Sequence, residues 1–400
     1  MPSFTFARGN ATRLLSLPLY ALGRVASAYT LREDDRWVFA SGSGLGEGAL
    51  ALHDFARSAD PTLRLAWIAR DRAELDAARE RGMTAVLRSS WRGLRTTLRA
   101  RVVVVTHGLG DANRFGMHGA YIVQLWHGIP LKKIQLDSPV TFRGGPSRML
   151  RALYRRNSSA IAFVPAASEV SAARLRTAFG LPADRVVVTG DPRDDVVFAP
   201  PGPARALLAH GIGDCGDNRV ILFAPTWRDG DPDPTIPSPA EWERIAAFLD
   251  ATASVLVLRP HPHSVGDYRG GPAASTRIRM LAAGTQNDIN PVLPAVDVLV
   301  TDFSSIAFDF ALLGRPIVFL APDAQDYAAT RGLYEPYTTV TGGSEVTTWD
   351  GALGLLGDPA ALERLAGHAV HLAATHHEYR DGANTARVYE ELLTRLGGQQ

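Results

Sequence analysis

The side chains in this sequence that can do chemistry collect at one kind of place, just beyond short runs of Val, Ile and Leu. His127 closes "YIVQLWHG", Arg193 and Asp194 follow "VVVTGDP", and Trp227 and Arg228 follow "ILFAPT". His261 and His263 come after "VLVLRP", and Asp302, Ser304 and Ser305 after "VDVLVT". A histidine so placed suits a general base near neutral pH. Asp302 or Ser304 can cap a helix that starts near Ser305, and a helix start offers N–H groups and a positive dipole end to a phosphate or diphosphate. A cap with no ligand has the same sequence signature.

Two adjacent lysines, Lys132 and Lys133, follow the Trp-His-Gly of residues 126–128, and they are the only lysines among 42 basic residues. Adjacent ammonium groups repel, so a shared anion accounts for them better than a solvated turn in a chain that otherwise uses arginine. Trp126 can exclude water beside His127, and Gly128 permits a close backbone approach. His261 and His263 form a His-x-His pair, but no Cys or acidic cluster completes a metal site nearby. Contact of one histidine with an anion, and no metal, is the expectation. "DGDPDP" (229–234) contains Asp-x-Asp, yet its prolines favour a surface turn. "SGSGLGEGAL" (41–50), with Asp71 past the next strand, fits a loose dinucleotide loop and equally a tight turn without ligand.

Between these positions the apolar runs alternate with helix-like stretches such as "GALALHDFARSA" and "DRAELDAARERG", which implies βα units and parallel sheets covered on both faces. Runs at 36–41, 64–69, 101–107, 121–127, 160–167 and 185–190 read as one series of strands, and those at 219–226, 254–260, 296–302 and 316–322 as a second. Helices are expected at 240–251, 303–313 and 358–373. The Pro- and Gly-rich stretch 198–218 reads as the linker between domains 1–197 and 219–375, with 376–400 as a final helix. In such sheets ligands bind beyond the carboxyl ends of the strands, so the reactive residues belong to a cleft between two domains.

Composition narrows the partners. A net charge of +1 gives no global argument for nucleic acid, and a single cysteine, Cys215, excludes an internal disulfide. No apolar run is long enough to span a bilayer. Residues 1–32 carry Arg8, Arg13, Arg24 and Arg32 with no acid before Glu33, which suits a helix on the first domain or an anionic membrane surface. The segment also imitates a signal peptide, but Pro18 and Arg24 interrupt the pattern. From Ser138 to Ser168 there is again no acid, while Arg143, Arg148, Arg151, Arg155 and Arg156 accompany Met149, Leu150, Leu153 and Tyr154. That composition fits a basic amphipathic helix for anionic lipid or a polyphosphate, or a solvated arginine face.

The ordered set "WVFASGSG", "QLWHGIPLKK", "TGDPRDDVVF", "FAPTWRD", "LRPHPH", "VTDFSSIAFDF", "GRPIVFL", "DYAATRGLY" and "YRDGANTARV" resembles the CDP-glycerol glycerophosphotransferase family, the teichoic-acid and capsule primases and polymerases. The resemblance runs from about residue 36 to 395. It implies a GT-B-like α/β fold of two Rossmann-type domains, with the last helix returning to the first domain. It implies a CDP-alditol donor with no cofactor required, a lipid-linked or polymer acceptor, and a peripheral place on the cytoplasmic face of the membrane. By the same resemblance His127 is the base for the acceptor hydroxyl, and His261 contacts the diphosphate and the departing CMP. Ser304 and Ser305 hold donor phosphates, Arg193, Arg228 and Lys133 assist, and Asp309 faces the donor ribose. A GT-B glycosyltransferase using a nucleotide sugar, or a non-catalytic membrane-associated assembly partner, would share much of this pattern.

Overall fold

The computed structural model describes residues 17–142, 147–228, 231–261, 264–282 and 284–398. Arg8, Arg13, Arg143, His263 and the first two residues of "DGDPDP" lie outside the described residues. Seven strands, β1 (Glu33–Phe39), β2 (Arg64–Ala69), β3 (Ala85–Leu87), β4 (Ala100–Val105), β5 (Tyr121–Gln124), β6 (Ile161–Ala166) and β7 (Val186–Val188), form one sheet in the order β3-β2-β1-β4-β5-β6-β7. Five more, β8 (Arg219–Ala224), β9 (Ser254–Leu258), β10 (Ile278–Met280), β11 (Val298–Thr301) and β12 (Ile317–Phe319), form a second in the order β10-β9-β8-β11-β12.

Every strand pairing is parallel, as expected where strands are joined by helices that cross over the sheet. Strands β9 and β11 are buried along their whole length, which is why they read as unbroken apolar runs. Strand order reverses between β1 and β4 in the first sheet and between β8 and β11 in the second. At those switch points neighbouring crossovers diverge and leave a crevice at the carboxyl edge.

Where the Pro/Gly-rich stretch suggests an open connection, residues Pro201–Ile212 form a helix started by Pro201 at its first turn. Its Ala204 and Leu208 are buried in the same cluster as Val292 and Leu293 below the second sheet. The last helix, Asn384–Gly397, packs on the first sheet. Val388, Tyr389 and Leu392 join Trp37, Phe39 and Leu52 in its core, and Tyr389 meets the rings of Trp37 and Phe55 at 5.9 and 5.4 Å.

The start of that helix is held by the "TGDPRDD" segment. Both Asp195 carboxylate oxygens accept from the Asn384 and Thr385 amides, at 2.9 and 2.7 Å, and Gly190 lies against the Asn384 side chain. Gly190 has φ +83°, and a Cβ there would fall 2.0 Å from Asn384 Oδ1. A Gly190→Ala substitution therefore strains the backbone and displaces the helix start. We expect a loss of about 2 kcal/mol or more, read as a lower thermal midpoint.

Candidate active site

Strands β4 and β5 are neighbours, and each ends in a histidine loop. After β5 the backbone turns sharply: Trp126 has φ +65° and Gly128 φ +113°. Positive φ at a tryptophan is costly, and such strain persists where the surroundings over-determine it. The turn carries His127 out at the carboxyl edge, half-buried, with the Trp126 ring 4.0 Å away and the imidazole of His107, from the end of β4, stacked on it at 4.0 Å and 6°. His127 Nδ1 lies 3.5 Å from the Thr106 carbonyl. With Nδ1 carrying the hydrogen toward that oxygen, Nε2 keeps its lone pair. Burial, then His107 and Arg193, hold the imidazole well below its ordinary pKa, so it is neutral at physiological pH.

Gly128 is a point where the two halves of the molecule meet closely. A Cβ there would lie 3.1 Å from Ser305 Oγ and 3.2 Å from Arg193 Nη1. The missing side chain thus leaves a small polar notch beside His127, lined by a hydroxyl from the second sheet and a guanidinium from the first. Arg193 sits in the 3-10 turn Pro192–Phe198, whose first amides are capped by Asp191. It reaches across to Asp309 Oδ2 at 2.6 Å and Asn290 Oδ1 at 3.0 Å. Burial works against its charge, but Asp309 and the neighbouring acids more than compensate and keep it protonated. Burial also lifts Asp309 to about 6, against the pull of Arg193. Arg193 Nε is buried with no hydrogen-bond partner among the described residues.

On the second sheet, β9, β8 and β11 stand side by side and release their loops at one edge. Asp302 Oδ1 accepts from the Thr226 and Phe303 amides at 2.8 and 2.6 Å, tying the loops after β8 and β11 together. Its Oδ2 takes Arg228 Nη2 at 3.0 Å, and Arg228 also forks onto Asp323 at 2.8 and 2.9 Å over the Tyr327 ring. Asp302 and Arg228, both expected near donor phosphates, bond each other, and Arg228 also bonds Asp323, so the three brace the loops of this edge. Asp309, expected from the resemblance to face a donor ribose, is 1% exposed and pairs with Arg193. Ser304 and Ser305 are half-buried at the start of the helix Ile306–Ala311, and Ser305 makes no side-chain cap. His261 is exposed and stacks on Trp227 at 5.8 Å and 19°.

The lysines lie on a seam. Lys132 forms an antiparallel bridge with Leu333, the Lys133 amide donates to the Gly332 carbonyl at 2.9 Å, and the Tyr334 amide donates to Leu131 at 3.0 Å. Lys132 also comes close enough for its charge to disfavour protonation of His127. Lys133 is exposed with its stem along Gly332. The glycine loop of residues 41–50 packs against the other half of the molecule. The Glu47 amide, first in its helix, donates to Asp288 Oδ2 at 2.7 Å, and Asp71 caps the helix Arg72–Glu80. A protein carboxylate therefore holds the place a dinucleotide phosphate would need. In "DGDPDP" Asp231, Pro232 and Pro234 are exposed, while Asp233 is 4% exposed and accepts from Thr235 and Tyr268, so the carboxylate anchors a surface turn.

The family described as CDP-glycerol:poly(glycerophosphate) glycerophosphotransferase matches residues 24–394. The chain belongs to this family. It is 28% identical over 280 residues to the teichoic acid ribitol-phosphate polymerase TarK of Staphylococcus aureus, which covers 68% of this chain and 52% of that protein. It is 29% identical over 230 residues to a teichoic acid glycerol-phosphate transferase of the same species, covering 54% and 56%. The chain thus spans about half the length of the curated relatives it matches. Among solved structures, the wall teichoic acid polymerase TagF superposes with a TM-score of 0.76 at 19% identity, over 98% of both chains. A UDP-N-acetylglucosamine 2-epimerase from Neisseria meningitidis follows at 0.57 and 13%, over 90% of this chain and 100% of that one. The fold is accordingly GT-B-like, two parallel α/β sheets facing a cleft.

Of the residues singled out in sequence, this member of the family brings His127, Ser305, Arg193, Asp309 and Lys132 to one seam. His261 and Trp227 form a separate pair on the second sheet's edge. His107 was missed, although it too follows a strand ("RVVVVTH") and the same edge rule points to it. Because the Arg193–Asp309 pair is buried, Arg193→Met leaves a carboxyl without its partner. We expect a loss of about 3–5 kcal/mol, seen as a lower thermal midpoint, and recovery of a large share in the Arg193→Met, Asp309→Leu double variant.

Proposed function

We propose that the protein transfers an alditol phosphate, glycerol phosphate in the simplest case, from a CDP-alditol to a hydroxyl of a lipid-linked glycan or a growing poly(alditol phosphate). The observation that carries this reading is the notch at Gly128, the residue after the neutral His127, where Ser305 Oγ and Arg193 Nη1 approach the place a side chain would take. Family membership supports the donor class, and a TagF crystal soaked with CDPG is among the structures of this fold.

In the proposed step His127 Nε2 accepts the proton of the acceptor hydroxyl as its oxygen attacks the β-phosphorus. The new P–O bond forms in line with the one that breaks, and the electron pair leaves on CMP. Charge grows on the phosphoryl oxygens, so fixed donors beside them lower the barrier most. Ser304, Ser305, Lys132, Lys133 and the outer edge of Arg193 supply donors on the near side. His261, braced on Trp227, lies at the end of β9 for the diphosphate and the departing CMP. The step uses no cofactor beyond the donor itself.

A peripheral site on the cytoplasmic membrane face completes the reading. No helix of the described residues is long and apolar enough to cross a membrane. The helix Ser147–Ser158 buries Leu150 against Leu136 and Phe142 and exposes Arg148, Met149, Arg155 and Arg156. That face suits anionic headgroups.

Incubation with CDP-glycerol and a lipid-linked or polymer acceptor should release CMP. His127→Asn should lower that rate by about 10²–10⁴-fold. Turnover of a nucleotide sugar with no CMP from any CDP-alditol would replace the proposal with a glycosyltransferase. The pH profile follows from the depressed His127: the neutral base persists as pH falls past 6.5, its ordinary value, so the acid limb of kcat/KM should lie below that pH. Reversing Arg148, Arg155 and Arg156 to Glu should abolish co-sedimentation with anionic vesicles while leaving CMP release with a soluble acceptor intact.

A further inference from the structure

The stacked pair His107–His127 has a use beyond shape. We propose that His107 is a positioning residue for His127: stacked on it, His107 holds the ring in plane and keeps a proton off it, so that His127 remains available as base. The inference rests on the reading of His127 as that base.

Geometry supports the first half. The Asp111 carboxylate accepts from the amides of Thr106, His107 and Gly108 at 3.0, 2.7 and 3.1 Å, which fixes the turn after β4. His107 Nδ1 is 2.8 Å from Thr106 Oγ1, and Gly42 packs against the ring so closely that a Cβ would fall 2.6 Å from its Cγ. The imidazole therefore has little freedom to turn, and its face lies 4.0 Å from that of His127 at 6°.

Charge supports the second half. Two imidazolium rings stacked this closely repel, so the pair holds one proton far more readily than two. The charges around the two rings are of opposite sign. His127 faces Arg193 from the 3-10 turn and Lys132 from its own loop. His107 faces Glu47 Oε2 at 3.9 Å from the start of the helix Glu47–Ala59, and the Asp111 carboxylate on its own turn. Thr106 Oγ1 and Ser41 Oγ, 3.0 Å apart, continue the path from His107 to Glu47, with Ser41 donating to Glu47 at 3.1 Å. A proton on His127 is thus disfavoured from both sides of the stack. Stacked faces form no N–H···N bond, so no proton passes between the rings and the coupling is through space.

The test is an imidazole NMR titration of the ¹⁵N-labelled full chain without donor, the His127 signal being assigned by its loss in His127→Asn. In the wild-type protein the His127 midpoint should lie below the ordinary imidazole value; a midpoint at or above it overturns the proposal. His107→Phe keeps the stack and removes the charge, and the His127 midpoint should rise by about half a unit or more. The acid limb of kcat/KM should move up with it, while KM for CDP-glycerol changes by less than about twofold. His107→Asn should act in the same direction. A His127 midpoint that stays put in both folded variants overturns the proposal. A midpoint that moves while the acid limb of the rate does not keeps the pairing and removes His127 as the base.

Discussion

The arrangement of the two sheets depends on one buried ion pair, Arg193 with Asp309. Removing either charge from water is expensive, and only a well-aligned partner with further hydrogen bonds offsets it. Arg193 lies after the first sheet and Asp309 on the first helix after β11, so the pair has its partner only when the two carboxyl edges face each other. The rest of the "GDPRDD" segment reinforces the constraint. Asp194 is 3.4 Å from His377, whose Nε2 in turn bonds the Phe308 carbonyl, and Asp195 caps the last helix. Residues 190–195 thus touch the returning helix, the helix after β11 and the His127 loop.

The chemistry of the cleft follows from that closure. Bringing Arg193 to Asp309 also brings its outer edge, and Ser305 with it, up against Gly128, the residue after His127. A second seam keeps the faces from sliding: Leu131–Lys133 zips onto Gly332–Tyr334, and Arg174 bonds Glu335 at 2.5 Å beside His376. The lysines therefore have two roles in the same stretch. Their backbone joins the halves, and their charge raises the positive potential at the edge where a phosphate-rich substrate would lie.

Much of the fold was legible because its signal is local. Strands buried on both faces need uninterrupted Val, Ile and Leu, and those runs stand out between helix formers. Strands β3 and β10 were not legible. Each has three residues at a sheet edge and, unlike the equally short β7 and β12, does not stand out as an apolar run from the residues around it. The helix Pro201–Ile212 was hidden for a related reason: its prolines and glycines resemble a linker, and only burial of Ala204 and Leu208 shows that it is packed.

The sequence by itself determined which residue types stand at the ends of strands, the alternation of strand and helix, and the order of motifs that marks the family. All of these are properties of neighbours along the chain. Tertiary structure decided which charges are available. Asp302, Arg228 and Asp309 have the right chemistry for a donor site, and each is also paired with a partner far away in sequence. Glu47 and Asp288 likewise meet across 241 positions. His107 and His127, only a loop and a strand apart, become a stacked pair because parallel pairing of β4 with β5 sets their ends side by side. Coulomb energy and burial depend on distance in space, and that distance is set by sheet order, which no single stretch of the chain contains.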